Sequence, residues 1–331
     1  MIDDKKLVVT ISPHIKDKET TSLIMWTVTA TLLPSLIMGT YYFGLKATFI
    51  VFMAIVSAVL SEYLYQKFMN KKITVSDGSA FLTGLLLGLN LPPSVPFYIP
   101  VIGSSFAIIV AKQLFGGLGY NIFNPALIGR AFLLASFPRL MTTWTQPVAF
   151  LTQIDAKTTA TPLSILKESG ESKLIEIFGS KLDLYSQLLI GNRSGCIGET
   201  SIIALLLGAT YLFYKKYITW HIPISYILTA GILAWIFGNP SQLFGGDPIL
   251  HILSGGMIIG AFYMATDYVT SPALKKGQIL FGIGCGFLTM LIRLKGGYPE
   301  GVMFAILIMN CFSPLIDRSF KTKVFGTDAK K

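Results

Sequence analysis

Charged residues are scarce in this sequence. They make up 13% of the 331 residues, whereas 52% are hydrophobic, and soluble domains carry about a quarter of their residues as charges. This composition excludes an ordinary soluble protein and indicates an integral membrane protein. The net charge of +10 comes from bases scattered at the ends of apolar segments, which is typical of topology signals and not of a nucleic-acid patch. We therefore expect a lipid bilayer as partner and no nucleic acid.

Cysteine is almost absent, and so are the usual redox fingerprints. The three cysteines, at positions 196, 285 and 311, are far apart and form no CxxC pair, so we expect neither a disulfide nor an iron–sulfur cluster on this chain alone. The sequence also lacks a dinucleotide-binding fingerprint. The apolar run Leu7–Ile11 is too short for a signal-peptide core, so the first membrane span should stay in the protein.

Long apolar stretches are abundant and set the fold class. A hydrocarbon core about 30 Å thick takes about 20 apolar residues per crossing, so the chain holds about ten transmembrane helices. The sequence predicts an all-α integral membrane protein with spans near residues 22–42, 48–68, 79–91, 97–114, 126–137, 200–214, 222–237, 249–263, 279–294 and 301–315.

A polar segment between the fifth and sixth spans divides the chain. Lysines in alternate loops place both termini in the cytoplasm, and five spans on each side make the two halves inverted repeats. The predicted units are a cytoplasmic lead-in, a first five-helix repeat, an extracytoplasmic loop, a second five-helix repeat and a cytoplasmic tail, at 1–21, 22–140, 141–198, 199–317 and 318–331. Within the loop, residues 162–178 have the spacing of one amphipathic helix.

Four charged residues lie near the segments where the two halves resemble each other. Arg130 falls inside a span, where a charge needs a partner or a wet cavity, and its role is open between structural pairing and ligand contact. Asp77, Asp267 and Glu300 are candidate intramembrane carboxylates for Na⁺ or H⁺ movement, with helix capping or pairing to a base as the alternative for each.

The first informative run of the polar loop is Thr158-Thr159-Ala160-Thr161-Pro162. A threonine hydroxyl such as that of Thr161 can be esterified by a phosphoryl group and so tether a phosphate-bearing cofactor. The alternative is that Asp155 or Thr158 caps a helix beginning near Pro162, a favoured position for proline.

The second run is glycine-rich and ends at the start of the next span. Gly195 and Gly198 would let backbone approach a ring or phosphate closely, and Glu199, Thr200 and Ser201 would present free N–H groups to an anion or a flavin carbonyl. The alternative is a plain glycine-rich loop with Ser/Thr capping.

Several motifs together resemble one family. The run 157–163 is similar to the Ser-Gly-Ala-Thr-Pro-Leu flavinylation motif of the RnfD/NqrB family, with Thr158-Thr159 where Ser-Gly is usual. Further matches follow in order along nearly the whole chain: 12–14 (Ser-Pro-His), 76–84, 124–126 with 129–132, 198–201, and 264–267 with Ser271-Pro272.

The resemblance implies a function. In this family the last threonine of the motif holds FMN through a phosphoester, so Thr161 is the expected attachment site, and riboflavin is a possible second flavin. The implied activity is that of an electron-carrying subunit of a bacterial inner-membrane complex that couples ferredoxin–NAD electron transfer to Na⁺ or H⁺ translocation. Implied partners are other membrane and peripheral subunits, including a second flavin-bearing subunit and iron–sulfur subunits, so the chain is not a complete enzyme alone.

Two other interpretations compete with this one. An inverted-repeat solute channel or transporter without flavin explains the spans, the proline-broken helices and Arg130, but not the paired motifs of the polar loop. A structural scaffold that has lost its acceptor competence through the Thr158-Thr159 change is the third.

Overall fold

The computed structural model describes residues 19–147, 159–239 and 242–320. In these residues the chain forms fourteen α-helices: α1 Thr21–Phe43, α2 Leu45–Phe68, α3 Ser79–Leu89, α4 Tyr98–Ile108, α5 Pro125–Ser136, α6 Pro138–Met141, α7 Pro162–Phe178, α8 Lys181–Ile190, α9 Ile202–Tyr214, α10 His221–Phe237, α11 Pro248–Leu253, α12 Met257–Ile259, α13 Lys275–Lys295 and α14 Val302–Ser319. Two π-helical turns, Ile109–Gln113 and Gly260–Met264, continue α4 and α12.

Within the described ranges, four helices are long and apolar enough to cross a membrane: α1, α2, α13 and α14, of 18 to 24 residues. Shorter apolar helices include α3, α5, α9 and α10, and α4 with its π turn. The predicted all-helical fold is confirmed, and the length and composition of these segments identify a helical membrane protein.

Local sequence explains where the short helices begin and end. Asn124 caps α5 through its side-chain oxygen, which accepts from the N–H groups of Ala126 and Leu127, and Pro125 occupies the first helical position. Helix α3 ends at Asn90, just before Pro92 and Pro93. A proline cannot continue the hydrogen-bond ladder, so the chain turns there within the helical bundle.

The predicted eighth span over 249–263 is not one continuous helix, since it is interrupted at Ser254–Gly256, where the sequence contains glycine. Gly255 adopts a left-handed backbone conformation with φ +67°, which favours glycine. A β-carbon there would lie 2.6 Å from a carboxylate oxygen of Glu300 and 2.8 Å from Leu163. The helix is therefore interrupted at the point where the chain approaches Glu300 and Leu163.

A small cap made of α7 and α8 packs on α11 through a leucine cluster, Leu174, Leu184, Leu188 and Leu250. The single amphipathic helix predicted over 162–178 is only partly correct, since Gly170 has non-helical angles (φ 79°, ψ 177°) and divides α7 into two segments. The lack of a side chain at this position allows the bend.

An ion-pair network joins this cap to α11. Lys181 lies 2.9 Å from Glu171 and 2.9 Å from Asp247, and the Tyr185 hydroxyl donates to Asp247. These contacts with Asp247 and Glu171 raise the pKa of Lys181. Burial alone would raise the pKa of Asp247, but hydrogen bonds from Tyr185 and Lys181 outweigh it and hold the pKa of that carboxyl below its usual value.

We expect this network to make the cap pH-dependent. The lowered pKa of Asp247 stabilises the fold at pH values above the unfolded pKa of about 3.9, and this stabilisation is lost as the pH falls through the folded pKa. The raised pKa of Lys181 stabilises the fold at pH values below about 10. Asp247→Asn keeps the oxygen that caps α11 and removes the charge. The gap in melting temperature between wild type and Asp247→Asn should be widest at pH 6–9 and shrink toward pH 3. Asp183→Asn on α8 is the control, and a gap that stays constant from pH 3 to 9 would contradict the network.

Candidate functional site

Thr161 lies at the start of α7 and is its N-cap. Its Oγ1 accepts from the Ser164 N–H at 3.2 Å and lies 2.8 Å from the Ser164 hydroxyl, with Pro162 at the first helical position. The alternative, a cap by Asp155 or Thr158, names residues outside the described part of the chain, and the described N-cap is Thr161. The predicted acceptor hydroxyl is held at a helix N-terminus, where N–H groups and the helix dipole favour an anion.

Thr161 opens onto a cavity of about 420 Å³. This volume lies within the range of about 300–1,000 Å³ that is typical of small-molecule sites. The walls combine the first loop run with residues far away in sequence, among them Arg130, Thr159, Ala160, Thr161, Ser164, Arg193, Ser194, Glu199, Gly255, Tyr298, Glu300 and Phe304.

The two sequence runs of the polar loop are in direct contact. The Thr159 hydroxyl is hydrogen-bonded to the Ser194 hydroxyl, and the Thr159 N–H donates to the Trp144 carbonyl at 3.0 Å. Ala160 is exposed beside them. Thr158 lies outside the described residues. These bonds place Thr161 against the second run.

Arg130 links both halves of the chain at the cavity wall. Its guanidinium donates to Glu300 at 2.8 Å, to the Asn90 side-chain oxygen at 3.1 Å and to the Cys196 sulfur at 3.3 Å. Glu199 lies at 3.9 Å, an ion-pair distance. The pairing role left open for Arg130 in the sequence is confirmed by these carboxylate contacts. Its contact with a ligand stays a prediction, for which its place on the cavity wall is suitable.

Two further arginines that sequence reasoning missed hold the broken helix in place. Arg193 donates to the backbone carbonyls of Leu253 and Glu199, and Arg293 donates to those of His251 and Ser254. The last carbonyls of a helix have no partner within the helix, so the guanidinium groups supply hydrogen bonds to the carbonyls at the break. Arg293 is 3% exposed, so its charge serves the interior of the protein and is not a loop charge that marks topology.

The other residues of the glycine-rich run pack against neighbouring helices or cap the start of α9. A β-carbon at Gly198 would lie 2.6 Å from that of Leu89, the Thr200 hydroxyl donates to the Ile197 carbonyl, and the Ser201 hydroxyl accepts from the Ala204 N–H as cap of α9. Gly195 backs the Glu199 carboxylate, 3.3 Å from where its β-carbon would lie. Of the five residues predicted from this run, Glu199 lines the cavity.

The three ion-pathway candidates lie at two different places. Glu300 belongs to the cavity beside Thr161. Asp267 lines a second cavity of about 90 Å³ together with Ser79 and Asn124, and Asp77 accepts from the Ser79 N–H at 2.8 Å. Asn124, the N-cap of α5, lines the second cavity, and Leu134 on α5 lines the cavity beside Thr161. The two residues are ten positions apart, which is about 15 Å along a helix.

Beside the second cavity lies a buried ion pair. The Lys112 ammonium is 2.8 Å from Glu62 and donates to Ser79 at 2.6 Å. Gln113 also donates to Glu62, at 2.8 Å. Sequence reasoning did not select either charge, although each lies inside an apolar stretch, which is the signal for a paired intramembrane charge.

Comparison with known proteins agrees with the motifs. Residues 8–326 match the model of the NQR2, RnfD, RnfE family. The chain is 54% identical over 325 residues to the D subunit of the proton-translocating ferredoxin:NAD(+) oxidoreductase complex of Clostridium ljungdahlii, covering 98% of each protein. It is 48% identical to the D subunit of the Na(+)-translocating ferredoxin:NAD(+) oxidoreductase complex of Acetobacterium woodii, covering 100% of this chain and 99% of the relative.

A more distant relative extends this agreement. The D subunit of the ion-translocating oxidoreductase complex of Stutzerimonas stutzeri is 38% identical over 329 residues, covering 93% of this chain and 92% of that protein. The resemblance drawn from the sequence motifs is thereby confirmed, and the chain belongs to the NQR2, RnfD, RnfE family.

Proposed function

We propose that this chain is the D-type membrane subunit of an Rnf-type complex and carries FMN on Thr161. The complex would couple electron transfer between ferredoxin and NAD to translocation of Na⁺ or H⁺. The names of relatives 54% and 48% identical over nearly their whole length support the activity. The observation that carries the flavin proposal is that the acceptor hydroxyl lies on the wall of a cavity of about 420 Å³.

The residues around that cavity fit the chemistry of FMN. A phosphate esterified to Thr161 would lie at the N-terminus of α7, near the Ser164 N–H and hydroxyl, in a favourable position for negative charge. Arg130 and Arg193 add positive charge to the cavity wall. Tyr298 and Phe304 supply aromatic surface against which a flat ring can pack.

The division of labour between cofactor and protein follows from this arrangement. FMN, when bound, supplies electron acceptance and release, while the protein sets position and potential through hydrogen bonds, charge and burial. Thr161 fixes the phosphate end, and Arg130 holds Glu300 and Glu199 at the inner wall. Partner subunits with iron–sulfur centres and a second flavin would bring electrons to and from this site.

We further propose that the helices form two inverted five-helix repeats, 22–140 and 199–317, around the extracytoplasmic flavin-bearing loop 141–198. Packing supports the equivalence, since α2 contacts α3 and α4 while α10 contacts α11 and α13. With segments 1–21 and 318–331 in the cytoplasm of a bacterial inner membrane, Thr161 faces outward, and electrons must cross the membrane to reach it.

The second cavity is considered for ion movement and for a second flavin. Asp77 and Asp267 lie beside it and remain candidates for ion movement, whereas Glu300 lies at the flavin cavity. The second cavity has a volume of about 90 Å³, which is below the roughly 300 Å³ of common ligand sites. A riboflavin in the second cavity would therefore require the surrounding helices to move apart.

Flavin fluorescence tests the proposal directly. The protein, expressed together with a flavin-transferring enzyme, should fluoresce on a denaturing gel, and peptide mass mapping should place one FMN on the peptide that contains Thr161. Flavin released on denaturation would report riboflavin or other noncovalent flavin separately. A protein with neither signal would refute the flavin proposal and favour the flavin-free channel or transporter.

A further inference from the structure

We infer that Glu199 and Glu300 share one proton at the inner wall of the cavity and pass it to the isoalloxazine ring when the ring is reduced. This inference rests on the proposed FMN site. It assigns to two residues of this chain a proton-transfer role in the electron-transfer step.

The two carboxylates are close together and differ in their hydrogen bonds. An oxygen of each lies within 4.8 Å of one from the other and of the Cys196 sulfur. Glu300 accepts from the Gly256 N–H at 2.6 Å and from Arg130 at 2.8 Å. Glu199 is 4% exposed, and among the described residues its Oε1 has no hydrogen-bond donor. A buried carboxylate oxygen without a donor is costly unless it holds a proton or meets a ligand.

The hydrogen bonds around the pair favour one charged and one protonated carboxyl group. Arg130 is the cation that contacts Glu300 and reaches toward Glu199. Arg193 and Arg293 also lie near the pair, but the hydrogen bonds that they make go to backbone carbonyls, including those of Leu253, Glu199, His251 and Ser254. Two carboxylates that share one site do not both ionise readily, so one carboxylate and one carboxylic acid beside Arg130 is the favoured state.

A bound metal ion is the competing interpretation of this cluster. Cys196, Glu199 and Glu300 include ligand types found in metal sites. The Arg130 guanidinium, however, already donates to the Cys196 sulfur at 3.3 Å and to Glu300 at 2.8 Å. A guanidinium between these groups occupies the place of the cation, which favours proton chemistry over metal ligation.

The proposed transfer keeps atoms and electrons in balance. Two electrons from a one-electron carrier of the iron–sulfur class, delivered in turn, and one proton convert the oxidised ring into its reduced anion. The O–H bond of the carboxyl pair breaks, an N–H bond forms on the ring, and the pair keeps the bonding electrons as a second carboxylate. Arg130, Arg193 and Arg293 offset the added charge. Reoxidation returns the proton to the pair and the electrons to the next carrier.

Infrared difference spectroscopy of the flavin-loaded protein, reduced with dithionite, tests this proposal. Wild type should lose the carbonyl-stretch band of a protonated carboxyl group on reduction, and the band should shift in D₂O. The band should be absent in Glu199→Gln and also in Glu300→Gln, because Arg130 would ionise whichever single carboxyl remains. Glu168→Gln, an exposed carboxylate on the same cavity wall, should keep it.

The outcomes separate this proposal from the flavin assignment. Gel fluorescence reports the flavin in every variant. If flavin is present and the band persists in Glu199→Gln, or does not change on reduction, the proton-transfer role is refuted and FMN at Thr161 stands. If no flavin is attached, a pH titration of the protein followed in the infrared should still show a carboxyl band that disappears in either glutamine variant. Its absence there would refute the shared proton.

Discussion

Thr161→Ala is expected to abolish covalent flavin fluorescence on a denaturing gel. The phosphoester needs the threonine hydroxyl, and the neighbouring hydroxyl of Thr159 is engaged with Ser194. Alanine also removes the N-cap of α7, since Thr161 accepts from the Ser164 N–H, at a cost of about 1 kcal/mol in stability. Loss of flavin with alanine therefore combines two effects that must be separated.

The cap position offers a variant that separates them. Asparagine caps helices about as well as serine but has no hydroxyl to esterify, so Thr161→Asn should keep the melting temperature of the flavin-free protein and carry no flavin. Thr161→Ser keeps both the cap and a hydroxyl and should retain some fluorescence. Thr159→Val is the control for a second hydroxyl in the same cavity and should leave the flavin attached. Fluorescence that survives in Thr161→Asn and disappears in Thr159→Val would move the attachment to Thr159.

The cavity shows which parts of such a site a sequence can predict. Two features have local sequence signals: the run 157–163, with a threonine before proline, and the membrane helices, with apolar stretches of set length. Arg130 stands out in the sequence as a charge inside a span. The eighth span also has a local signal, because glycine interrupts it at Ser254-Gly255-Gly256. The left-handed conformation of Gly255 is seen only in the folded chain.

Long-range contacts account for what sequence reasoning could not supply. Glu300 meets Arg130 across 170 positions, and the Thr159 N–H reaches the Trp144 carbonyl. Arg193 and Arg293 contact the broken helix only because backbone carbonyls become free there. Each contact depends on where other helices pass, and residue periodicity carries no information about that. The charge of Arg293, near the end of an apolar span, was interpreted as a topology marker.

Removal of Arg130 is expected to destabilise the protein strongly. Its guanidinium is buried and holds Glu300 at 2.8 Å and Asn90 at 3.1 Å, so Arg130→Met leaves buried carboxylates without their cation. Breaking a buried pair by removing one partner costs about 3–5 kcal/mol. The change should be measured as the free energy of unfolding in detergent micelles. Arg139→Met, at an exposed arginine on α6, is the control and should stay within about 0.5 kcal/mol of wild type.

The double variant Arg130→Met/Glu300→Gln determines whether the pair itself causes the loss. Removing both charges leaves no unpaired carboxylate at position 300, and replacing both partners of a buried ion pair is often neutral. We therefore expect the double variant to be more stable than Arg130→Met alone, with an interaction energy of about 0.5–3 kcal/mol. Additive losses would contradict this, and they would place the stabilising role of Arg130 in its bonds to Asn90 and Cys196. Because Arg130 lies on α5 and Glu300 precedes α14, a stabilising interaction between them would mean that the cavity beside Thr161 is also a point where the two halves of the bundle are held together.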